Sequence, residues 1–187
     1  MRLSRKIGQL SSISGLKYHN MGQKRSKERM MEIIFENPGS HLTVREMSRL
    51  VKTPKSTVQR HLDALKEQGL LTKDNEPAQS LSFRMRKIAY YLIRMHDSGL
   101  VDYLVESLNP EAIILFGSFR KGESVKGSDI DIFVLTHERK ALDLSRFERG
   151  LGHKVDLHLE KSLAKVDAGL LNNIVNGIKI YGSFKVR

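Results

Sequence analysis

Residues 114–134 read ILFGSFRKGESVKGSDIDIFV, and this stretch decides the fold of the second half of the chain. A short, continuously apolar run ends at Gly117 and Ser118, as expected for a buried strand followed by a bend. After a polar loop, Asp129 and Asp131 alternate with isoleucines, which predicts a second strand. Because successive side chains on a strand point to opposite faces, the two carboxylates are expected to share one face.

The paired carboxylates indicate a cation site. Two carboxylates side by side repel each other unless a cation lies between them. Mg²⁺ is a hard, oxygen-seeking ion that commonly uses one or two carboxylates and completes its shell with water and phosphate oxygens. Asp156, on a later strand, would complete a second metal site and accept a proton from an attacking hydroxyl. We therefore expect Asp129, Asp131 and Asp156 to be catalytic and to bind two Mg²⁺ ions, which would clamp the entering and leaving oxygens of an in-line displacement.

The bend at Gly117 and Ser118 has the chemistry of a phosphate site. Glycine lets a phosphate approach the backbone, and amides at the start of a following helix would point at it. The Ser118 hydroxyl would add a hydrogen bond. Three basic residues nearby would neutralise a triphosphate, although an ordinary solvated loop explains them equally well: Arg120, Lys121 and Lys126.

GSFRKGESVKGSDIDIFV resembles the motif of the polymerase β nucleotidyltransferase superfamily. Within it, the stretch is most similar to the minimal nucleotidyltransferases, the MNT group, many of which read Gly-Ser-aromatic-x-Arg-Gly-Glu here. The chain has Lys121 where that group often has Arg, which keeps the charge but loses bidentate geometry. The tail NNIVNGIKIYG also resembles the tails of these proteins, especially those fused to a helix-turn-helix in archaea.

The resemblance implies transfer of a nucleoside monophosphate from a nucleoside triphosphate to a hydroxyl, with release of pyrophosphate. Asp129 and Asp131 match the metal-binding pair, Asp156 the third carboxylate, and Gly117 and Ser118 the pair that contacts the triphosphate. We expect ATP as the donor and a protein hydroxyl as the acceptor of AMP. Members of the MNT group often act as antitoxins paired with a HEPN-family ribonuclease toxin, which is therefore a candidate partner.

The first half of the chain is strongly basic and helical. Residues 1–88 carry 18 Lys and Arg against 8 Asp and Glu, whereas residues 89–187 carry 14 against 13. A polyanion such as double-stranded DNA is the natural partner of such a surface, although the charge alone is explained equally well by a solvated, soluble surface. The pattern predicts three helices, the second beginning with a capping box at Thr43 and Glu46. The third has Thr53 as its cap and ends at Gly69.

Residues 81–85 alternate between apolar and polar side chains, which predicts a strand after the three helices. Three helices followed by such a hairpin are similar to the winged helix-turn-helix domains of prokaryotic regulators. Its third helix would read DNA, and its wing would meet the backbone or the minor groove. The candidate DNA-binding residues are Lys52, Lys55, Ser56, Thr57, Gln59 and Arg60 around the third helix, and Arg84 and Arg86 at the wing. A winged helix used only for protein contact remains the alternative.

The predicted fold class is α+β: a winged helix-turn-helix domain followed by a small α/β nucleotidyltransferase domain with a mixed sheet. The expected order is a basic arm (1–25), the winged helix domain (26–86), a linker helix (87–109) that breaks near Ser98-Gly99, and the nucleotidyltransferase domain (110–187). The linker helix would join the two halves or supply the contact of a homodimer.

Composition narrows the function classes. The chain contains no cysteine, so disulfides, thiolate zinc sites and cysteine nucleophiles are excluded. The sequence has no apolar run long enough to span a bilayer and no secretory signal, and we expect a cytoplasmic protein. Three alternatives remain: a regulator whose nucleotide site only senses ligand or binds a partner, a small-molecule nucleotidyltransferase, and, less in keeping with the short catalytic half, a template-copying polymerase.

Overall fold

The computed structural model describes residues 26–184, which divide into two compact units between Ala78 and Gln79. The predicted basic arm lies outside the described residues. This boundary in the sequence comes before residue 86, the predicted end of the first domain. Residues 26–184 contain no helix long and apolar enough to cross a membrane.

The first unit contains the three predicted helices: α1 (26–36), α2 (Val44–Val51) and α3 (Lys55–Glu67). The capping box of α2 is present, because the Glu46 amide donates to Thr43 Oγ1 at 3.2 Å and the Thr43 amide donates to Glu46 Oε2 at 3.0 Å. Each helix buries one apolar face. The buried side chains include Met30, Ile34, Phe35, Met47, Val51, Val58, Leu62 and Leu65.

Thr53 does not cap α3, so that part of the prediction is wrong. The residue before α3 is Pro54, which makes no side-chain cap. The Thr53 hydroxyl instead donates to the Val51 carbonyl at 3.1 Å, within the turn after α2. The predicted end of α3 is confirmed by Gly69, which has a φ of +66°, where a residue without Cβ avoids strain.

The predicted wing strand is wrong, because residues 81–85 are helical. The hairpin after α3 is short: Leu71 bridges Pro77, and the Ala78 amide donates to the Leu70 carbonyl at 3.0 Å. Ser80 then caps α4 (Leu81–Asp97) by accepting from the Phe83 amide at 3.1 Å. The buried residues of α4 recur every four positions, at Phe83, Lys87, Tyr91 and Met95. The short alternating pattern of residues 81–85 is therefore the beginning of a helical repeat.

The second unit is an α/β domain with a mixed sheet, as predicted. A turn with Gly99 at φ +76° separates α4 from α5 (Leu100–Leu108), which confirms the predicted helix break. The remaining elements, in chain order, are β1 (Ala112–Leu115), α6 (Gly117–Lys121), β2 (Ile130–Leu135), α7 (Ser145–Leu151), β3 (Val155–Glu160), a 3-10 turn (Leu163–Lys165), α8 (Ala168–Val175) and β4 (Ile178–Gly182).

The sheet has the strand order β3-β2-β1-β4. Strand β1 is antiparallel to both β2 and β4, and β2 is parallel to β3. The two central strands are almost completely buried, whereas β3 and β4, at the edges, are half-buried or exposed. The polar residues of β2 therefore project from a buried central strand, and those of β3 project from the neighbouring edge strand.

Candidate active site and nucleic-acid interface

Asp131 and Asp156 lie side by side on neighbouring strands. They are direct partners in the parallel register of β2 and β3. Neighbouring strands are about 4.8 Å apart, and aligned residues of a parallel pair share one face of the sheet. Asp129 is exposed just before β2, two residues from Asp131. The structure therefore brings Asp131 and Asp156 together and leaves Asp129 at the open end of the strand.

The carboxylates act on each other electrostatically. Burial is the largest cause that raises the pKa of Asp131 above its ordinary value, and the neighbouring charge of Asp156 raises it further. His158 opposes this rise, and Asp129 adds to it. Like charges disfavour the ionisation of their neighbours, so a bound cation would reduce the electrostatic repulsion among these carboxylates.

The Gly117 bend packs directly on the Asp131 carboxylate. A Cβ atom at position 117 would overlap Asp131 Oδ2 and would lie 2.7 Å from Asp131 Cγ, and Gly117 has a φ of +67°. The backbone pairing of the two segments continues this contact, since the Phe116 amide donates to the Asp131 carbonyl at 3.0 Å. Only a residue without a side chain fits here, so the bend and the carboxylate form one site.

Helix α6 begins at Gly117, so a helix start follows the bend as predicted, and Phe116, the residue before it, makes no side-chain cap. Ser118 and Arg120 are half-buried on α6, while Lys121, also on α6, is exposed. Lys126 is exposed in the loop between α6 and β2. The bend and the basic residues thus belong to one segment, but the contacts of the three basic side chains with a nucleotide remain a prediction.

The loop from residue 122 to residue 128 is held by side chains that the sequence did not identify. The buried Lys87 ammonium donates to the Ser124 carbonyl, and His153 Nδ1 lies 2.8 Å from the Ser128 carbonyl oxygen. The Val125 amide donates to Ser128 Oγ at 2.9 Å. These contacts set the entry of the chain into β2, just before Asp129. Their signal in the sequence was faint, because Lys87 and His153 look like surface residues outside the context of the fold.

Arg84 and Arg86 lie on α4 in the second unit, so their predicted position on a wing is wrong. Arg84 Nη1 is 3.7 Å from Glu123 Oε1, and the Arg84 backbone packs against Gly122. The reason is the helical repeat of α4, which places both arginines after the Ser80 cap. The structural basis for their contact with DNA is therefore lost.

His158 lies beside the carboxylates. Its Nε2 lies 3.2 Å from Asp156 Oδ2, and the two side chains, two residues apart on β3, share one face of the strand. The imidazole centroid lies 5.4 Å from that of the Phe116 ring, next to the bend. His153, by contrast, is buried and packs against Phe119.

The predicted DNA-reading residues lie on and before α3. Lys52, Lys55, Ser56, Gln59 and Arg60 are exposed, and Thr57 is half-buried. Gln59 is partly engaged, since its amide donates to Asp63 Oδ1 at 2.8 Å.

Two further basic residues lie beside them on α2. Arg45 and Arg49, one helical turn apart, line an open groove of about 520 Å³ together with Lys55 and the acidic Glu46. Sequence reasoning missed both arginines, although their spacing of four residues on an exposed face would have revealed them. The groove widens the basic surface of the helix-turn-helix to two helices.

Within residues 26–184, no group of three or more His, Asp or Glu side chains is arranged to hold a metal ion by itself. Mg²⁺ commonly uses one or two carboxylates and takes its remaining ligands from water and substrate phosphates. The donor set of Asp131, Asp156 and Asp129, all oxygen, suits that ion together with a triphosphate.

Comparison with known families agrees with both units. The family described as Polymerase beta, Nucleotidyltransferase matches residues 99–185, and the family described as Bacterial regulatory protein, arsR family matches residues 28–73. No curated protein and no solved structure matches the chain. The first match spans α5 and the whole sheet with its carboxylates, and the second spans the three helices of the first unit. The chain is therefore an N-terminal helix-turn-helix DNA-binding domain fused to a nucleotidyltransferase domain of the polymerase β type.

Proposed function

We propose that the chain is a Mg²⁺-dependent nucleotidyltransferase that transfers AMP from ATP to a protein hydroxyl and that also binds DNA. One observation supports this most directly: the Gly117 bend packs on the Asp131 carboxylate, which lies beside Asp156 in the strand register. A phosphate-binding bend and a pair of carboxylates at one place are the parts that metal-assisted transfer from a triphosphate needs.

In the proposed reaction, the oxygen of the acceptor hydroxyl forms a bond to the α-phosphorus of ATP. The bond from that phosphorus to the bridging oxygen breaks, and pyrophosphate leaves. Asp156 accepts the proton of the acceptor hydroxyl, while Gly117 and Ser118 contact the triphosphate. Bound Mg²⁺ would neutralise the phosphate charge at Asp129, Asp131 and Asp156. Arg120, Lys121 and Lys126 would add positive charge around the phosphates.

The acceptor follows from the resemblance of residues 117–123 to the MNT group. On this proposal the chain is an antitoxin that adenylylates a HEPN-family toxin, and its helix-turn-helix binds double-stranded DNA through α3 and the arginines of α2. The small catalytic unit, Gln79–Arg187, agrees with an acceptor that brings its own binding surface. We also propose that the chain binds DNA as a homodimer, because helix-turn-helix proteins commonly read two half-sites.

Transfer is tested with ATP labelled either at the α-phosphate or at the γ-phosphate, in the presence of Mg²⁺ and a co-expressed candidate partner. Nucleotidyl transfer labels the acceptor from α-labelled ATP only, whereas phosphoryl transfer labels it from γ-labelled ATP. Asp129→Asn should abolish labelling, and Asp102→Asn, at an exposed position on α5, serves as the matched control. Labelling that Asp129→Asn leaves unchanged would refute the enzymatic proposal.

A second candidate is a DNA-binding regulator whose nucleotidyltransferase-like unit only senses a nucleotide or binds a partner. One observation favours it: the arsR-family match of the first unit, which concerns DNA binding alone. This candidate predicts that ATP changes the affinity for DNA while no label reaches any protein. The same labelling experiment, run beside a DNA-binding titration with and without ATP, separates the two.

A further inference from the structure

We propose that His158 is a positioning residue that holds the Asp156 carboxylate in the orientation needed to bind a divalent metal with a nucleotide. The inference rests on the proposed function, because it assigns a partner to one carboxylate of that site. It concerns a hydrogen bond to Asp156 and does not require His158 to contact substrate.

The geometry of β3 brings the two side chains together. His158 and Asp156 are two residues apart and share one face, and Nε2 lies 3.2 Å from Oδ2. An ionised carboxylate can only accept a hydrogen bond, so the imidazole donates its Nε2 proton in this pair. The donor is thus directed at the same carboxylate that pairs with Asp131 across the strands.

The imidazole of His158 is itself held in place by its neighbours. Its ring packs against Phe116 at a centroid distance of 5.4 Å, and the side chain is only 34% exposed. Phe116 directly precedes the Gly117 bend, and Phe133 is the register partner of His158 on β2. A ring fixed in this way offers a donor in a constant position.

Asp156 needs a hydrogen-bond partner that orients its carboxylate. Its side chain is 58% exposed on an edge strand, where a carboxylate moves freely between rotamers. Among the described residues, His158 is its hydrogen-bond partner. Partners of this kind orient carboxylate ligands, and their loss typically costs about 10- to 100-fold in metal affinity or activity.

Three variants test the role. His158→Leu keeps an apolar contact with Phe116 but removes the donor. His158→Gln retains a donor whose amide nitrogen takes the place of Nε2. His137→Leu is the matched control, since His137 is exposed after the end of β2, beside Glu111. His158→Asn, whose amide is too short to reach Oδ2, replaces His158→Leu if that variant does not fold.

Binding of Mn²⁺ in the presence of ATP, measured by electron paramagnetic resonance, is the first measurement, and kcat and KM for AMP transfer are the second. We expect His158→Leu to weaken Mn²⁺ binding about 10-fold and to lower kcat more than it changes KM. His158→Gln should recover most of both losses, and His137→Leu should match the wild type. The thermal midpoints of all variants should be similar.

The inference is overturned if His158→Leu binds Mn²⁺ as His137→Leu does, or if His158→Gln is no better than His158→Leu. The two proposals fail separately. Metal binding that depends on His158 without any transfer by the wild type would end the proposed function and leave the positioning role. Transfer by the wild type that neither His158 variant affects would end the positioning role alone.

Discussion

Replacing Gly117 with alanine should disable the site while leaving the fold intact. The new Cβ would lie 2.7 Å from Asp131 Cγ, whereas nonbonded carbon atoms approach to roughly 3.5 Å or more, so the carboxylate must retreat by about 1 Å. A misplacement of that size costs about 100-fold in rate. The backbone at φ +67° adds about 1 to 2 kcal/mol of strain to the folded state.

The variant Gly152→Ala separates the loss of activity from the strain of the backbone. Gly152 also has a positive φ, +78°, but no atom lies within 4 Å of its Cβ position. The Gly152→Ala variant should therefore show the same loss of stability in urea denaturation and keep its activity in the labelled-ATP assay.

A double-mutant cycle adds a stability readout. In an Asp131→Ala background, which removes the overlapped carboxylate but leaves the Cβ of residue 131 at 3.2 Å from the new methyl, the loss of stability caused by Gly117→Ala should fall toward that caused by Gly152→Ala. Activity of Gly117→Ala within about twofold of Gly152→Ala would refute the claimed contact between bend and carboxylate, because the estimated loss is about 100-fold.

Three further results are expected. The raised pKa of Asp131 means that the folded state holds this proton more tightly than the unfolded state, so stability falls as pH rises from the ordinary range of aspartate through the raised value. Asp131→Asn should therefore raise the thermal midpoint at neutral pH without divalent metal, and an unchanged or lower midpoint would contradict this. Replacing both Lys55 and Arg60 with alanine should weaken DNA binding more than about tenfold, as measured by fluorescence anisotropy. The same double variant should reduce the slope of log affinity against log salt concentration by about 2. A slope equal to that of the wild type would count against contact of these residues with phosphate. Thr43→Ala should cost about 1 kcal/mol in urea denaturation through loss of the α2 cap, and no loss would mean that the capping box contributes nothing.

The sheet of the second unit was predictable in part because its strands are short and strongly patterned. The apolar run before Gly117 and the alternation around Asp131, separated by a bend and a polar loop, together favour two short buried strands. The register of β2 and β3 was not predictable, because it depends on contacts between distant segments. That register, however, is what places Asp156 directly beside Asp131.

The wing prediction failed for a physical reason. Leu81, Phe83 and Met85 alternate over five residues, which is too short a stretch to distinguish a strand from a helix that begins there. The deciding signals were the Ser80 cap and the continuation of buried positions to Tyr91. Leu81 and Met85 are 75% and 58% exposed, so the alternation did not reflect burial.

The side chains that support the site were harder to find than the site itself. A lysine at position 87 gives no local sign that its ammonium will be buried against the Ser124 carbonyl. The contact of His158 with Asp156 follows from strand spacing, but its packing on Phe116 requires β1 and β3 to be placed in one sheet. Such partners depend on tertiary structure and become visible only with the fold.

The most direct test is the anomalous diffraction of a crystal grown with Mn²⁺ and a non-hydrolysable ATP analogue. We expect a manganese peak between the carboxylates of Asp131 and Asp156, with the triphosphate against the Gly117 bend. A nucleotide bound elsewhere, or a bound nucleotide with no manganese at these carboxylates, would contradict it.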